Sequence, residues 1–156
     1  MLDASTPALP IEITSFTVPS NVLDLVLDGD LVYVACGVSG VRIYDISDPA
    51  LPNEIAVFDT FTSAKGVAVE GDRLYIAADV LIGLWVVDVS DPANPTEIKT
   101  IDTPGAANRV HATDDLIVLT DRMAGVRIWS TISSEPSLFA DGFESGDLSG
   151  WDSSTP

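Results

Sequence analysis

The stretch Asp45-Ile46-Ser47-Asp48-Pro49-Ala50-Leu51-Pro52 returns as Asp88-Val89-Ser90-Asp91-Pro92-Ala93-Asn94-Pro95, and an earlier version stands as Asp3-Ala4-Ser5-Thr6-Pro7-Ala8-Leu9-Pro10. The leading aspartates of these copies lie 42 and 43 residues apart. A fixed period of that size marks units that cannot bury their apolar surface alone and must stack on one another. Hydrophobic residues make up 46% of the 156, enough for such a stack to enclose a core.

Each period contains the same parts. Residues 65–69 lead through Glu70-Gly71-Asp72 into residues 73–77, two apolar runs around a tight acidic turn, which predicts a β-hairpin. Gly83 then opens a β-branched and aromatic run over 84–89. The Asp-Pro-Ala-Asn-Pro segment that follows cannot continue a ladder, because proline has no amide donor. Residues 96–101 alternate polar and apolar, as an edge strand with one wet face does. A unit is therefore four strands, A to D. The preceding unit has them at 25–27, 31–35, 40–45 and 54–58; the following unit has A, B and C at 109–112, 116–120 and 125–129 and no D. Residues 11–16 at the amino end are expected to form a D strand without A, B or C before it.

The middle strands are almost continuously apolar, which requires cover on both faces. Stacked four-stranded sheets supply that cover, and the fitting architecture is a β-propeller, whose blades usually number four to eight. The expected fold is all-β: a partial β-propeller of about three four-stranded antiparallel blades over 1–136, then an irregular, flexible tail over 137–156. An open arc leaves apolar blade faces bare, so a protein partner or self-association through those faces is expected.

The Asp-[Ile/Val]-Ser-Asp-Pro-Ala-x-Pro element after a Gly-x-x-[Ile/Val]-x-Asp strand resembles the LVIVD repeat, over roughly residues 3 to 130. That resemblance implies a propeller-like blade, found mainly in secreted or surface proteins of bacteria and archaea, and implies no shared catalytic residues. The last copy departs from the pattern, since Ser130 stands where Asp45 and Asp88 stand in its sisters. Met1-Leu2-Asp3 aligns with Ile43-Tyr44-Asp45, so the chain is expected to be a carboxyl-terminal fragment that begins inside a C strand. Residues 139–151, ending on Trp151, resemble a segment recurrent near the carboxyl end of exported bacterial proteins. An extracellular or cell-surface location is expected for the parent, although the opening Met1-Leu2-Asp3-Ala4-Ser5 has neither part of a signal peptide.

A four-stranded meander places its A–B and C–D turns on one rim and its B–C and D–A loops on the other. The first rim is almost purely acidic, with Asp28, Asp30, Glu70, Asp72, Asp114 and Asp115 beside Asp45, Asp48, Asp88 and Asp91. It could hold calcium through loop carboxylates, but Asp-Gly-Asp and Ser-Asp-Pro are what tight turns select on backbone grounds alone. The second rim mixes Lys65, Arg109 and Arg122 with Asp79, Asp102 and Asp121, on longer loops. Binding groups are normally displayed on such loops, so Lys65, Arg109, Arg122 and Asp121 are the expected binding residues.

Charge and composition exclude several functions. Twenty-four acidic against seven basic residues give a net charge of −17, which repels nucleic-acid phosphates and anionic membranes. No apolar run is long enough to span a bilayer. Cys36 is the only cysteine, expected as core filler, and His111 the only histidine, expected as a packed or rim-lining ring. With no Gly-x-Ser-x-Gly elbow, no glycine-rich phosphate loop and too few zinc ligands, neither catalytic residues, metal nor cofactor is expected. Tyr33, Tyr44, Tyr75, Trp85 and Trp129 fall in strands, where blade packing accounts for them. The expected function is a non-enzymatic structural or protein-binding scaffold. The alternatives are a calcium- or carbohydrate-dependent adhesion module, or part of a propeller hydrolase whose catalytic residues lie elsewhere.

Overall fold

The computed structural model describes residues 11–131, apart from the side chains of Val80 and Leu81. Three antiparallel meanders follow one another. The first contains β1 (Asp24–Asp28), β2 (Leu31–Ala35), β3 (Val41–Asp45) and β4 (Asn53–Phe58). The second contains β5 (Ala64–Glu70), β6 (Arg73–Ala78), β7 (Gly83–Asp88) and β8 (Thr96–Ile101), with a single helical turn, Asp79–Ile82, between β6 and β7. The third contains β9 (Arg109–Ala112), β10 (Leu116–Thr120) and β11 (Val126–Ser130), with a short 3-10 turn at Arg122–Ala124. This is a partial β-propeller, and the three sheets are blades 1, 2 and 3.

The turns form for local reasons. Gly29 and Gly71 both take φ of 55° at the head of the β1–β2 and β5–β6 hairpins, a left-handed conformation that favours glycine. In the Pro-containing connections, the Asp45 carboxylate accepts from the Ser47 amide at 2.8 Å and Asp48 from Ala50 at 3.0 Å. Asp88 and Asp91 repeat this with Ser90 and Ala93 at 2.8 and 3.1 Å. Those aspartates are turn builders: the Ser47 amide bond holds the Asp45 carboxyl below the usual aspartate range, and the Ser90 hydroxyl, 2.6 Å from Asp88 Oδ1, followed by the Ser90 amide, does the same for Asp88.

Packing between blades makes the core. Tyr33, Val41, Ile43 and Phe58 of blade 1 meet Leu74, Ile76, Trp85 and Val87 of blade 2. Tyr75, Ala77, Leu84 and Val86 on the opposite face of blade 2 meet Val110, Ile117 and Leu119 of blade 3. Every residue of β6 after Arg73 is buried, because blade 2 is covered on both sides. Strand β10 is buried only on alternate residues, because the far face of blade 3 carries no further blade among the described residues. Each fully buried Leu or Ile contributes about 1.5–3 kcal/mol, so this two-sided burial makes blade 2 the centre of stability.

Two features of the fourth strands differ from expectation. Residues 11–16 pair with no strand. An edge strand owes its form to the ladder of a neighbour, and no third strand lies beside this segment; instead Phe16 rests on the Tyr44 ring, with centroids 4.9 Å apart. Blade 3 has three strands among the described residues. The tail expected over 137–156, with Trp151, lies outside the described residues.

Candidate functional site

The A strands line the propeller axis, and equivalent positions of the three blades converge there. Asp24, Gly66 and Arg109 occupy the same place in β1, β5 and β9. Asp24 reaches across to Arg109, Oδ1 to Nη1 at 3.0 Å, while its Oδ2 accepts from the Val67 amide at 3.3 Å. Gly66 makes the crossing possible: a Cβ there would stand 2.8 Å from the Arg109 Cα. Behind this bridge a cavity of about 450 Å³ runs along the A strands, lined by Val26, Ala68, Val110 and His111 among others. His111 is exposed on that lining, at the place of Val26 and Ala68, as a rim-lining ring.

In front of the bridge lies the mouth of the channel, a pocket of about 220 Å³ lined by Leu23, Lys65, Asn108, Arg109 and Arg122. Leu23, Lys65 and Asn108 are again one position in three blades. Three of the seven basic residues of a chain with net charge −17 therefore gather around one opening. Lys65 pairs with Asp79 at 2.8 Å and Arg109 with Asp24 at 3.0 Å, whereas Arg122 makes no ion pair among the described residues. Arg122 and Asp79 sit at φ of 38° and 35°, where the matching residue of blade 1 is Gly37 at 56°. A non-glycine residue held left-handed costs on the order of 1 kcal/mol or more. In blades 2 and 3 that conformation places a charged residue at the start of the B–C loop.

Asp121 belongs to the same rim in sequence but is fully buried. It accepts from Thr103 Oγ1 at 3.1 Å, the Gly105 amide at 3.1 Å and Arg127 Nε at 3.2 Å. Its place is that of Cys36 and Ala78, buried in every blade. The carboxylate ties the connection between blades 2 and 3 to the loop that carries Arg122. Cys36 is likewise fully buried, and burial pushes its thiol above the ordinary range.

Sequence reasoning missed Leu23 and Asn108, and also the exposed apolar residues on the loops of the same rim. Val38, Phe61 and Met123 stand on the B–C and D–A loops at 79%, 84% and 102% exposure. Single apolar residues in otherwise polar loops were the available signal. On the acidic rim, Glu70 lies beside Asp114, whose neighbouring carboxyl raises the Glu70 pKa above the usual glutamate range. Among the described residues no three His, Cys, Asp or Glu side chains are grouped to hold a metal ion. No helix among them is long and apolar enough to cross a membrane.

In backbone shape the chain resembles the β-propeller domain of Cps50 (Swd1) from Myceliophteria thermophila, with a TM-score of 0.63 and 14% identity over 77% of this chain and 41% of that one. It also resembles the computationally designed Ika8 protein, with a TM-score of 0.57 and 13% identity over 68% of this chain and 32% of that one. The chain thus spans less than half the length of either structure. No curated protein matches it in sequence. The LVIVD repeat model matches residues 20–60 and 62–103, each match running from the A-strand entry through the D strand of one blade and the two together covering more than half of the chain, which belongs to the LVIVD repeat family.

Proposed function

We propose that this chain is a non-enzymatic propeller scaffold of an exported or surface protein that binds a protein partner at the channel mouth. The observation that carries the reading is the gathering of Lys65, Arg109 and Arg122 around one small pocket, on the rim whose loops also carry the exposed apolar residues Phe61 and Met123. Exposed apolar groups around a charged recess are the composition of a protein contact rather than of bulk surface.

Magnitudes narrow the partner. A net charge of −17 repels polyanions at long range, so the partner is neutral or basic overall. The pocket, at about 220 Å³, admits one side chain, and its cations select a carboxylate. The favoured ligand is a single Asp or Glu on an otherwise neutral or basic segment. Lys65 and Arg122 would contact it, Arg109 would share it with Asp24, and Asp121 would act as a positioning residue for the Arg122 loop.

A short peptide with one glutamate between leucines tests this, titrated by NMR against its glutamine counterpart. The expected result is resonance shifts at Lys65, Asn108 and Arg122, with affinity at least about tenfold weaker for glutamine, the size of one lost charge-assisted bond. Equal binding of both peptides, or shifts confined to the acidic rim, sinks the reading.

A second contact is self-association through the outer faces of blades 1 and 3. Leu25 and Leu27 on one and Val126 and Ile128 on the other are between 54% and 64% exposed, which supports it.

A further inference from the structure

We propose that residues 11–16 of one chain form the fourth strand of blade 3 in a second copy, so that two chains close a common ring. The proposal rests on association of the outer blade faces and adds the strand, its register and its partner.

Blades 1 and 2 show what fills a fourth-strand place. In blade 1, Val41 faces Phe58, Ile43 faces Ala56 and Tyr44 faces Glu54, with a register shift that leaves Ile55 as the extra residue. Blade 2 repeats this, with Leu84 facing Ile101, Val86 facing Lys99 and Val87 facing Glu97. Both strands follow the pattern Pro-x-Glu-Ile-x-x and end on a large apolar residue, from Pro52 to Phe58 and from Pro95 to Ile101. Pro10-Ile11-Glu12-Ile13-Thr14-Ser15-Phe16 has the same pattern, and its residues 11–16 have no strand partner among the described residues.

Strand β11 is shaped to receive it. It is the edge of its sheet, with Val126 and Ile128 each 64% exposed. Gly125 holds the position of Gly40 and Gly83, whose missing Cβ makes room for a fourth-strand carbonyl: a Cβ would lie 2.2 Å from the Phe58 oxygen and 2.7 Å from the Ile101 oxygen. Around Gly125 the same space is open. Arg127 stands in the place of Arg42, whose Nη1 lies 2.7 Å from Glu54 Oε2, and Glu12 stands in the place of Glu54. Docking in the shared register sets Phe16 opposite Val126, Thr14 opposite Ile128 and Glu12 opposite Trp129, with the Glu12 carboxylate beside the Arg127 guanidinium.

The other side of the seam carries a related aromatic contact. Phe58, at the end of blade 1's fourth strand, packs edge-on against Trp85 of blade 2 at 5.2 Å. Phe16 packs on Tyr44 of blade 1 at 4.9 Å; Tyr44 holds the place of Val87, two residues along the same strand face from the place of Trp85, so Phe16 lies against blade 1 on the face where Phe58 lies against blade 2. The chain thus enters blade 1 as if from a preceding blade. Blade 3 of the second copy supplies that blade, and the exchange is reciprocal about a two-fold axis. Within one chain the two outer faces point away from blade 2 on opposite sides. Two chains of three blades make six, inside the usual range for closed rings.

The test uses the full 156-residue chain, by light scattering at low micromolar concentration and by oxidation of Thr14→Cys/Ile128→Cys, with Glu12→Cys/Ile128→Cys as the out-of-register control. The expected result is a two-chain species with an interchain disulfide in the first pair and little in the control. Glu12→Lys, in a segment outside the folded blades, should raise the dissociation constant roughly fivefold by replacing an attractive pair with a repulsive one. A two-chain species without the registered disulfide, or with affinity unchanged by Glu12→Lys, overturns the strand exchange and leaves face association standing. A single-chain species, or a disulfide within one chain, overturns both. None of these outcomes bears on the glutamate peptide at the channel mouth.

Discussion

Asp24 and Arg109 are 85 residues apart in the chain and 3.0 Å apart across the propeller axis. They are the same position of blades 1 and 3, and the matching residue of blade 2 is Gly66, over which they meet. One carboxylate therefore touches all three blades, accepting from Arg109 on one side and from the Val67 amide on the other.

The two halves of that contact differ in worth. The Arg109 side chain is 62% exposed, so solvent and salt screen its ion pair, and Arg109→Ala should cost less than about 1 kcal/mol. Asp24→Ala also strands the amide of buried Val67 and should cost about 1–2 kcal/mol. Urea midpoints compared at low and high salt check the order. A larger loss for Arg109→Ala would make the bridge, not the amide bond, the holding contact.

Glycines at one repeated position should respond unequally to substitution. Gly40, Gly83 and Gly125 all have φ between 72° and 85°, so alanine is strained at each. Only the first two also face a fourth-strand carbonyl. Gly40→Ala and Gly83→Ala should destabilise by more than about 3 kcal/mol; in the separate chain, where no fourth strand lies on it, Gly125→Ala should cost about 1 kcal/mol. Thermal melts of the three variants give the comparison, and equal losses would mean backbone strain alone sets the cost.

The hairpins were legible because their signals are local. Strands expected at 31–35, 96–101 and 116–120 form at those residues, each bounded by a turn or proline connection. The placing of Lys65, Arg109 and Arg122 on one rim followed from meander parity, which fixes the end at which every loop emerges. Their meeting at one mouth did not, since it depends on blades lying around an axis so that Leu23, Lys65 and Asn108 converge. The buried state of Asp121 was also hidden. Its neighbours suggested a polar loop, while the sign of burial lay in its sister positions, Cys36 and Ala78. The strand expected at 11–16 failed for a different reason: its pattern is that of a fourth strand, but an edge strand exists only beside a third.

Removing the Asp121 carboxylate should be costly. Asp121→Ala leaves the Gly105 amide, the Thr103 hydroxyl and Arg127 Nε without their acceptor, in a site with no solvent access to the aspartate. The Arg127 guanidinium, 35% exposed, keeps water as a partner, so the loss is chiefly that of stranded donors, about 1–3 kcal/mol. Asp121→Asn keeps one acceptor oxygen and should retain part of the stability. Chemical unfolding of both variants tests this, and a loss under about 1 kcal/mol for alanine would show that water replaces the carboxylate.

Stability at high pH should fall through Tyr44. Its hydroxyl donates to Glu54 Oε2 at 2.8 Å, and the same carboxylate holds Arg42 at 2.7 Å. Burial first, and then the bond to Glu54, push the Tyr44 pKa up from 10.0 to about 12. The folded state therefore keeps this proton where the unfolded chain has lost it, so the contribution is complete below pH 10 and disappears as pH rises toward about 12. Glu54 works in the opposite direction: the Arg42 and then the Tyr44 hydrogen bonds hold its pKa below 4.5, so its contribution is present above that value and is lost on further acidification. Tyr44→Phe should remove about 1 kcal/mol at neutral pH, the worth of one hydrogen bond, and should flatten the alkaline limb of the stability curve. Its acid limb should persist, weakened, because Arg42 still holds Glu54. Unfolding midpoints of both proteins across the pH range decide the matter, and an unchanged alkaline limb in Tyr44→Phe would place the titration on another group.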